Sequence, residues 1–85
     1  MKTLDEIRVE LDQIDEAMRI LFEKRMALLL EVKAFKKAHN MPVLDSNREA
    51  NMMQYHVEKL NDKSLESYYT SFLKHIMDLS KAYQL

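Results

Sequence analysis

Arg25 and Lys36 are where chemistry could begin. They stand eleven residues apart in one stretch, Leu4 to His39, that holds neither Gly nor Pro. At ~100° per residue, eleven residues return a helical side chain to within ~20° of the same face. Leu21, Leu28 and Leu29 flank Arg25, so both cations project from the apolar side of one helix. Charge is expensive there unless something negative meets it. Arg48, Glu49, Ser80 and Gln84 add a cation, a carboxylate and two neutral hydrogen-bonding groups, and Arg8 adds a guanidinium near the start. Several cations with one carboxylate suit a small, multiply charged anion, and arginine forks grip carboxylates bidentately. No Ser–His–carboxylate or Cys–His arrangement suggests covalent catalysis. No cluster has metal-ligand spacing, and no Gly-rich loop exists to cradle phosphate. Binding and electrostatic preorganisation remain, with no metal expected.

Each of these residues also has a plainer reading. Lys36, with Lys37 and His39, could simply complement the negative end of a helix dipole. Arg8 could pair with Asp12 one turn on. Glu49 completes a Ser46-x-x-Glu49 capping box, with Asp45 as the alternative cap. Ser80 and Gln84 share a face at i, i+4, which is ordinary on a surface helix. His56 reads as a partly buried surface histidine, not a ligand.

The elements that must carry these groups are helices. Leu4, Ile7, Leu11, Ile14, Met18, Leu21, Leu28, Val32 and Phe35 recur at three-then-four spacing, so the first helix runs from Thr3 or Leu4 to about His39. Pro42 ends that helix and pushes Met41 toward extended backbone. A second helix is expected from Asp45 or Ser46 to about Leu60, with Met53, Val57 and Leu60 on its apolar face. A loop follows, Asn61 to Ser64, with Ser64 as the expected N-cap. The third helix runs from Leu65 to near Leu85. Its stripe is Leu65, Tyr69, Phe72, Ile76, Leu79 and Tyr83, widened by Tyr68 and Leu73.

Length turns this reading into an assembly. About 36 helical residues span ~54 Å, whereas a compact chain of this size has a radius of gyration of ~12 Å. The later helices, together about as long as the first, can cover only part of it. An all-α, three-helix protomer in an intertwined helical homodimer is therefore expected, with residues 1–85 forming a single domain. Arg8 and Arg25 of one chain lie ~26 Å apart along the helix axis, so they cannot both touch one small molecule. If Arg8 is functional, it acts on a site in the partner.

The totals of the 85 residues agree with this class: 47% are hydrophobic, 32% are charged, and the net charge is −1. That charge supplies no field to draw nucleic acid or an anionic membrane. The absence of Cys fits a reducing compartment, and the charged first turns do not read as a signal peptide, so a cytoplasmic location is expected.

Four motifs in order carry a resemblance across nearly the whole chain. They are IRVELDQID (Ile7 to Asp15), R-x-x-L-x-x-x-V-x-x-x-K (Arg25 to Lys36), P-V-x-D-x-x-R-E (Pro42 to Glu49) and S-x-x-x-Q (Ser80 to Gln84). Together they resemble the all-helical chorismate mutases, the small dimeric class found in bacteria. The resemblance implies the cofactor-free Claisen rearrangement of chorismate to prephenate, on the path to Phe and Tyr. It also implies roles. Arg25 and the partner's Arg8 would grip the two substrate carboxylates, and Ser80 would assist at a carboxylate. Lys36 and Gln84 would donate to the ether oxygen. Glu49, with the backbone at Asp45, would meet the ring hydroxyl. Arg48 would complete the positive wall and orient Glu49, and Val32 and Met77 would supply apolar lining. Lys81 stands where relatives are expected to have an apolar pocket wall. It could point to solvent or alter affinity. Two rivals are an isochorismate-pyruvate lyase on the same scaffold and a non-catalytic dimerisation or ligand-sensing module. Whether the chain acts alone or beside another shikimate-pathway enzyme stays open.

Overall fold

The first helix, α1, forms as one unbroken rod over Leu4–Ala38 in the computed structural model, which describes residues 1–85. Two more α-helices follow, α2 at Ser46–Lys59 and α3 at Glu66–Gln84. A single 3₁₀ turn at Lys63–Leu65 leads into α3, and there are no strands. No helix is long and apolar enough to cross a membrane.

Local chemistry fixes the ends. The Thr3 hydroxyl accepts from the Glu6 amide at 3.2 Å and starts α1, so Thr3 is the cap and Leu4 the first helical residue. Asn40 ends it. Its φ of 55° is left-handed, a conformation that Asn tolerates better than most residues. The Met41 amide then reaches back to the Lys36 carbonyl at 2.8 Å and the Asn40 amide to that of Lys37 at 3.4 Å. These two bonds make a Schellman ending built on Asn in a chain without glycine. The helix therefore stops at Ala38, with His39 as its cap.

Two expected caps fall to neighbouring residues. Asp45, not Ser46, caps α2: its carboxylate accepts from the Arg48 amide at 3.0 Å, and Ser46 becomes the first helical residue. The Ser46–Glu49 capping box does not form, so Glu49 is free for other work. Ser64 does not cap α3, whose N-cap is Leu65 with no side-chain bond; Asp62 instead caps the 3₁₀ turn before it, accepting from the Ser64 amide at 3.0 Å and the Ser64 hydroxyl at 2.6 Å. Those two bonds hold the Asp62 carboxyl below its ordinary range. Lys63 folds back over the last carbonyls of α2, donating to Val57 at 3.2 Å and Glu58 at 2.9 Å. The cap assignment carries a prediction. Asp45→Ala should lower unfolding stability by about 1 kcal/mol in a urea titration, while Ser46→Ala should change it by less than about 0.5 kcal/mol. The reverse order would restore Ser46 as the cap.

Packing is where the chain departs most from its apolar stripes. Both α1 and α2 pack on α3. The buried residues are Leu73, Met77, Ser80 and Gln84, one row of α3 at i, i+4, i+7 and i+11. That row lies one residue round from the expected stripe. Leu65, Phe72, Leu79 and Tyr83 are exposed, and Tyr69 and Ile76 are only half-buried. The α1 stripe behaves likewise. All nine of its members are exposed, from Leu4 to Phe35, and so is every residue from Met1 to Lys24. The face of α1 that touches the rest of its own chain is instead Arg25, Met26, Leu29, Lys33 and Lys36, each half-buried.

The molecule is correspondingly long, 56 × 25 × 16 Å, with a radius of gyration of 16.3 Å. A compact chain of this length would have ~12 Å. An apolar groove of about 710 Å³ runs between α1 and α3, lined by Met18, Leu21, Phe22, Phe72, Ile76 and Leu79 among others. Apolar surface on this scale is more than a self-sufficient small domain leaves uncovered.

Candidate active site

The inward face of α1 brings Arg25 and Lys36 into a single cleft of about 320 Å³. The loop after α1 contributes Val43 and Asp45, the first turn of α2 contributes Arg48 and Glu49, and the last turns of α3 contribute Met77, Ser80, Lys81 and Gln84. Seven of the eight residues singled out by sequence thus line one space. Arg8 is the exception. It is exposed on the far half of α1, ~26 Å along the rod from Arg25, and forms no ion pair with Asp12.

A relay of hydrogen bonds positions Arg25. Its Nη1 donates to Ser80 Oγ in a very short contact, and that hydroxyl donates to the Ile76 carbonyl at 2.7 Å. The serine hydroxyl is thus used once as acceptor and once as donor. Ser80 is only 6% exposed and has a built-in reason to be buried. Burial, and next the charge of Arg48, push the Arg25 guanidinium below its ordinary value. It remains cationic at neutral pH.

Lys36 is aimed by the backbone. Its Nζ donates to the Val43 carbonyl at 2.8 Å, which the turn at Asn40 brings back beside α1. Two of the three ammonium donors are left for a ligand. Gln84 is 7% exposed and donates Nε2 to the Ser80 carbonyl at 3.1 Å. Its second N–H is uncommitted, and Oε1 is a buried acceptor with no partner. Lys33 steadies this end of α3, donating to the Leu85 carbonyl at 3.0 Å.

The charge balance is lopsided. Arg25, Lys36 and Arg48 have no carboxylate within ion-pairing distance. Asp45 is committed to capping α2. Glu49 does not pair with Arg48, contrary to the expected orienting role. Its Oε1 instead takes Lys81 Nζ at 3.1 Å. Lys81 neither turns to solvent nor forms an apolar wall. Glu49 first, with Asp78 adding to the effect, lifts its ammonium above the ordinary lysine range. Four cations and two carboxylates line the cleft, which leaves it two charges positive. A site of this sign, partly screened from water and with three of its cations unpaired, fits a small dianion.

Some lining groups were missed from sequence. Val43 acts through its carbonyl, which no side-chain pattern could reveal. Met52 and Leu29 line the cleft as ordinary apolar residues. His56 also reaches its edge but is exposed, not partly buried, and meets Tyr55 edge-on.

Comparison with known proteins follows the same lines. The family model described as chorismate mutase type II matches residues 7–85. The T-protein of Haemophilus influenzae is 35% identical over 54 residues, 64% of this chain. That match spans only 14% of the relative's length. No solved structure gives a significant match.

Proposed function

The chain belongs to the chorismate mutase type II family, and from that premise we propose that residues 1–85 act as one domain converting chorismate to prephenate. The observation that carries the proposal is the set of Arg25, Lys36 and Arg48, three cations in one cleft with no carboxylate to neutralise them, beside a buried amide, Gln84. Chorismate is a dianion with an ether oxygen between its two reacting arms. The rearrangement breaks the bond from ring carbon to that oxygen as a carbon–carbon bond forms. No proton need move, and negative charge gathers on the oxygen.

The cleft is suited to two tasks. Arg25, held by Ser80, grips one carboxylate and helps fold the enolpyruvyl arm over the ring, a restraint that lowers the entropic part of the barrier. Lys36 and the second N–H of Gln84 donate to the ether oxygen as charge develops, so they stabilise the transition state more than the substrate. Arg48 adds to the positive wall. Glu49 and the backbone at Asp45 receive the ring hydroxyl, and Val32 and Met77 provide apolar contact. Arg8 completes the grip on the second carboxylate from a partner chain. Its distance from Arg25 on a straight α1 supports that assignment, and so does the uncovered apolar length of α1 beside the α1–α3 groove, which a second copy's α1 would fill. The working unit is then a homodimer with each cleft shared between chains.

The direct test is to incubate the purified chain with chorismate and, separately, with isochorismate, and identify the products by NMR. Prephenate from chorismate is the expected result. Pyruvate released from isochorismate alone would make the chain a lyase, and turnover of neither would leave a non-catalytic helical module.

A further inference from the structure

The ion pair between Lys81 and Glu49 is used by nothing in the proposed mechanism. Yet it forms part of the cleft wall. Lys81 lies one residue past Ser80 and three before Gln84, so α3 turns a second row toward the first turn of α2. Glu49, Met77 and Lys81 line both the cleft and a separate recess of about 350 Å³ between α2 and α3. The pair is therefore the partition between the two. Glu49 is released from capping because Asp45 does that work, and Arg48 does not hold it. Its only charged partner is Lys81, through Oε1, leaving Oε2 outside any ion pair.

We propose that Lys81 is the positioning residue for Glu49: it pins one carboxylate oxygen at the partition so that the other faces the ring hydroxyl. This rests on the reading of the cleft as a chorismate site. A glutamate in the first turn of a helix has several rotamers, and most would leave its carboxylate in water. A fixed lysine on the neighbouring helix selects one of them before substrate arrives, so less ordering is left to be done on binding. Asp78 on the same face of α3 holds the ammonium from its outer side at 3.5 Å. Lys81 thus sits between two carboxylates, and its stem closes the partition.

Lys81→Met keeps the stem and removes the charge. It should lower kcat/KM about five- to tenfold, mostly through KM, while Lys81→Arg should recover activity to within about twofold. In a Glu49→Gln background, Lys81→Met should have no further effect beyond about twofold, because a residue that acts through Glu49 has nothing left to act on. Losses that instead multiply would show that Lys81 does not work through Glu49, and would overturn the assignment. A readout independent of turnover is the NMR titration of the lysine side-chain nitrogens. Lys81 should titrate above an ordinary lysine in the wild-type chain and fall back toward it in Glu49→Gln. An ordinary value in both sinks the proposal whether or not chorismate is converted. A wild-type chain that leaves chorismate untouched takes down the functional reading and the role of Lys81 with it. Conversion of chorismate with independent losses takes down Lys81 alone.

Discussion

Lys36→Ala should lower kcat about 10²–10³-fold and leave the helical content and oligomeric state unchanged, the loss expected for one donor aimed at a developing oxyanion. Lys36 Nζ is already directed by the Val43 carbonyl at 2.8 Å, so its remaining donors need little rearrangement to meet the ether oxygen. That oxygen carries little charge in the substrate and much more in the transition state. The penalty should therefore fall on kcat more than on KM. The side chain is half-buried and has no carboxylate partner, so removing it relieves unneutralised charge and should not unfold the chain. Steady-state kinetics on the variant, with circular dichroism as the folding control, decide the matter. Turnover near that of the wild type would remove the assigned mechanism.

Arg8→Ala and Lys36→Ala homodimers should each be nearly inactive, and mixing the two should restore activity. The expectation follows from a straight α1 of 35 residues, which holds Arg8 far from its own Arg25 and Lys36. In a two-fold dimer, a mixed pair has one cleft with both residues intact and one lacking both. Random exchange of equal amounts would leave about a quarter of all clefts complete, so roughly a quarter of wild-type activity should return. Loss of a charge-assisted carboxylate grip should cost each Arg8→Ala cleft about 10² in kcat/KM. Native mass spectrometry can verify the exchange. Verified exchange with no recovery would place Arg8 outside the shared cleft.

The helices were legible because a chain with no Gly and a single Pro leaves little else to build. The long α1 stripe also gave the right shape, since its length alone outgrows a compact fold. Cap positions were not legible to the residue. Asp45 and Ser46 are both good caps, and the choice rests on an extended backbone at Asp45 (φ −128°, ψ 90°), which follows from how the loop leaves Pro42. Asp62 and Ser64 pose the same ambiguity. The buried row of α3 was misread for a stronger reason. Periodicity finds the apolar stripe, but within the chain the row that faces inward is half polar, with Ser80 and Gln84 beneath Arg25. A stripe tells that a face wants cover, not which molecule provides it. Spacing placed Arg25 with Lys36 and Ser80 with Gln84, while the individual roles came only from family resemblance. Lys81 was singled out, but its pairing was not legible, because the partner lies on another helix, thirty-two positions earlier.

If the proposed dimer forms, the wholly exposed run from Met1 to Lys24 makes its activity sensitive to dilution. Half of α1 finds no cover in its own chain, so in the proposed dimer the association that completes the fold also delivers Arg8 to the cleft. Activity per chain should then hold constant at high concentration and drop below a threshold set by the dissociation constant. Melting temperature should rise with the logarithm of protein concentration. A cell could thus silence such a catalyst simply by making less of it.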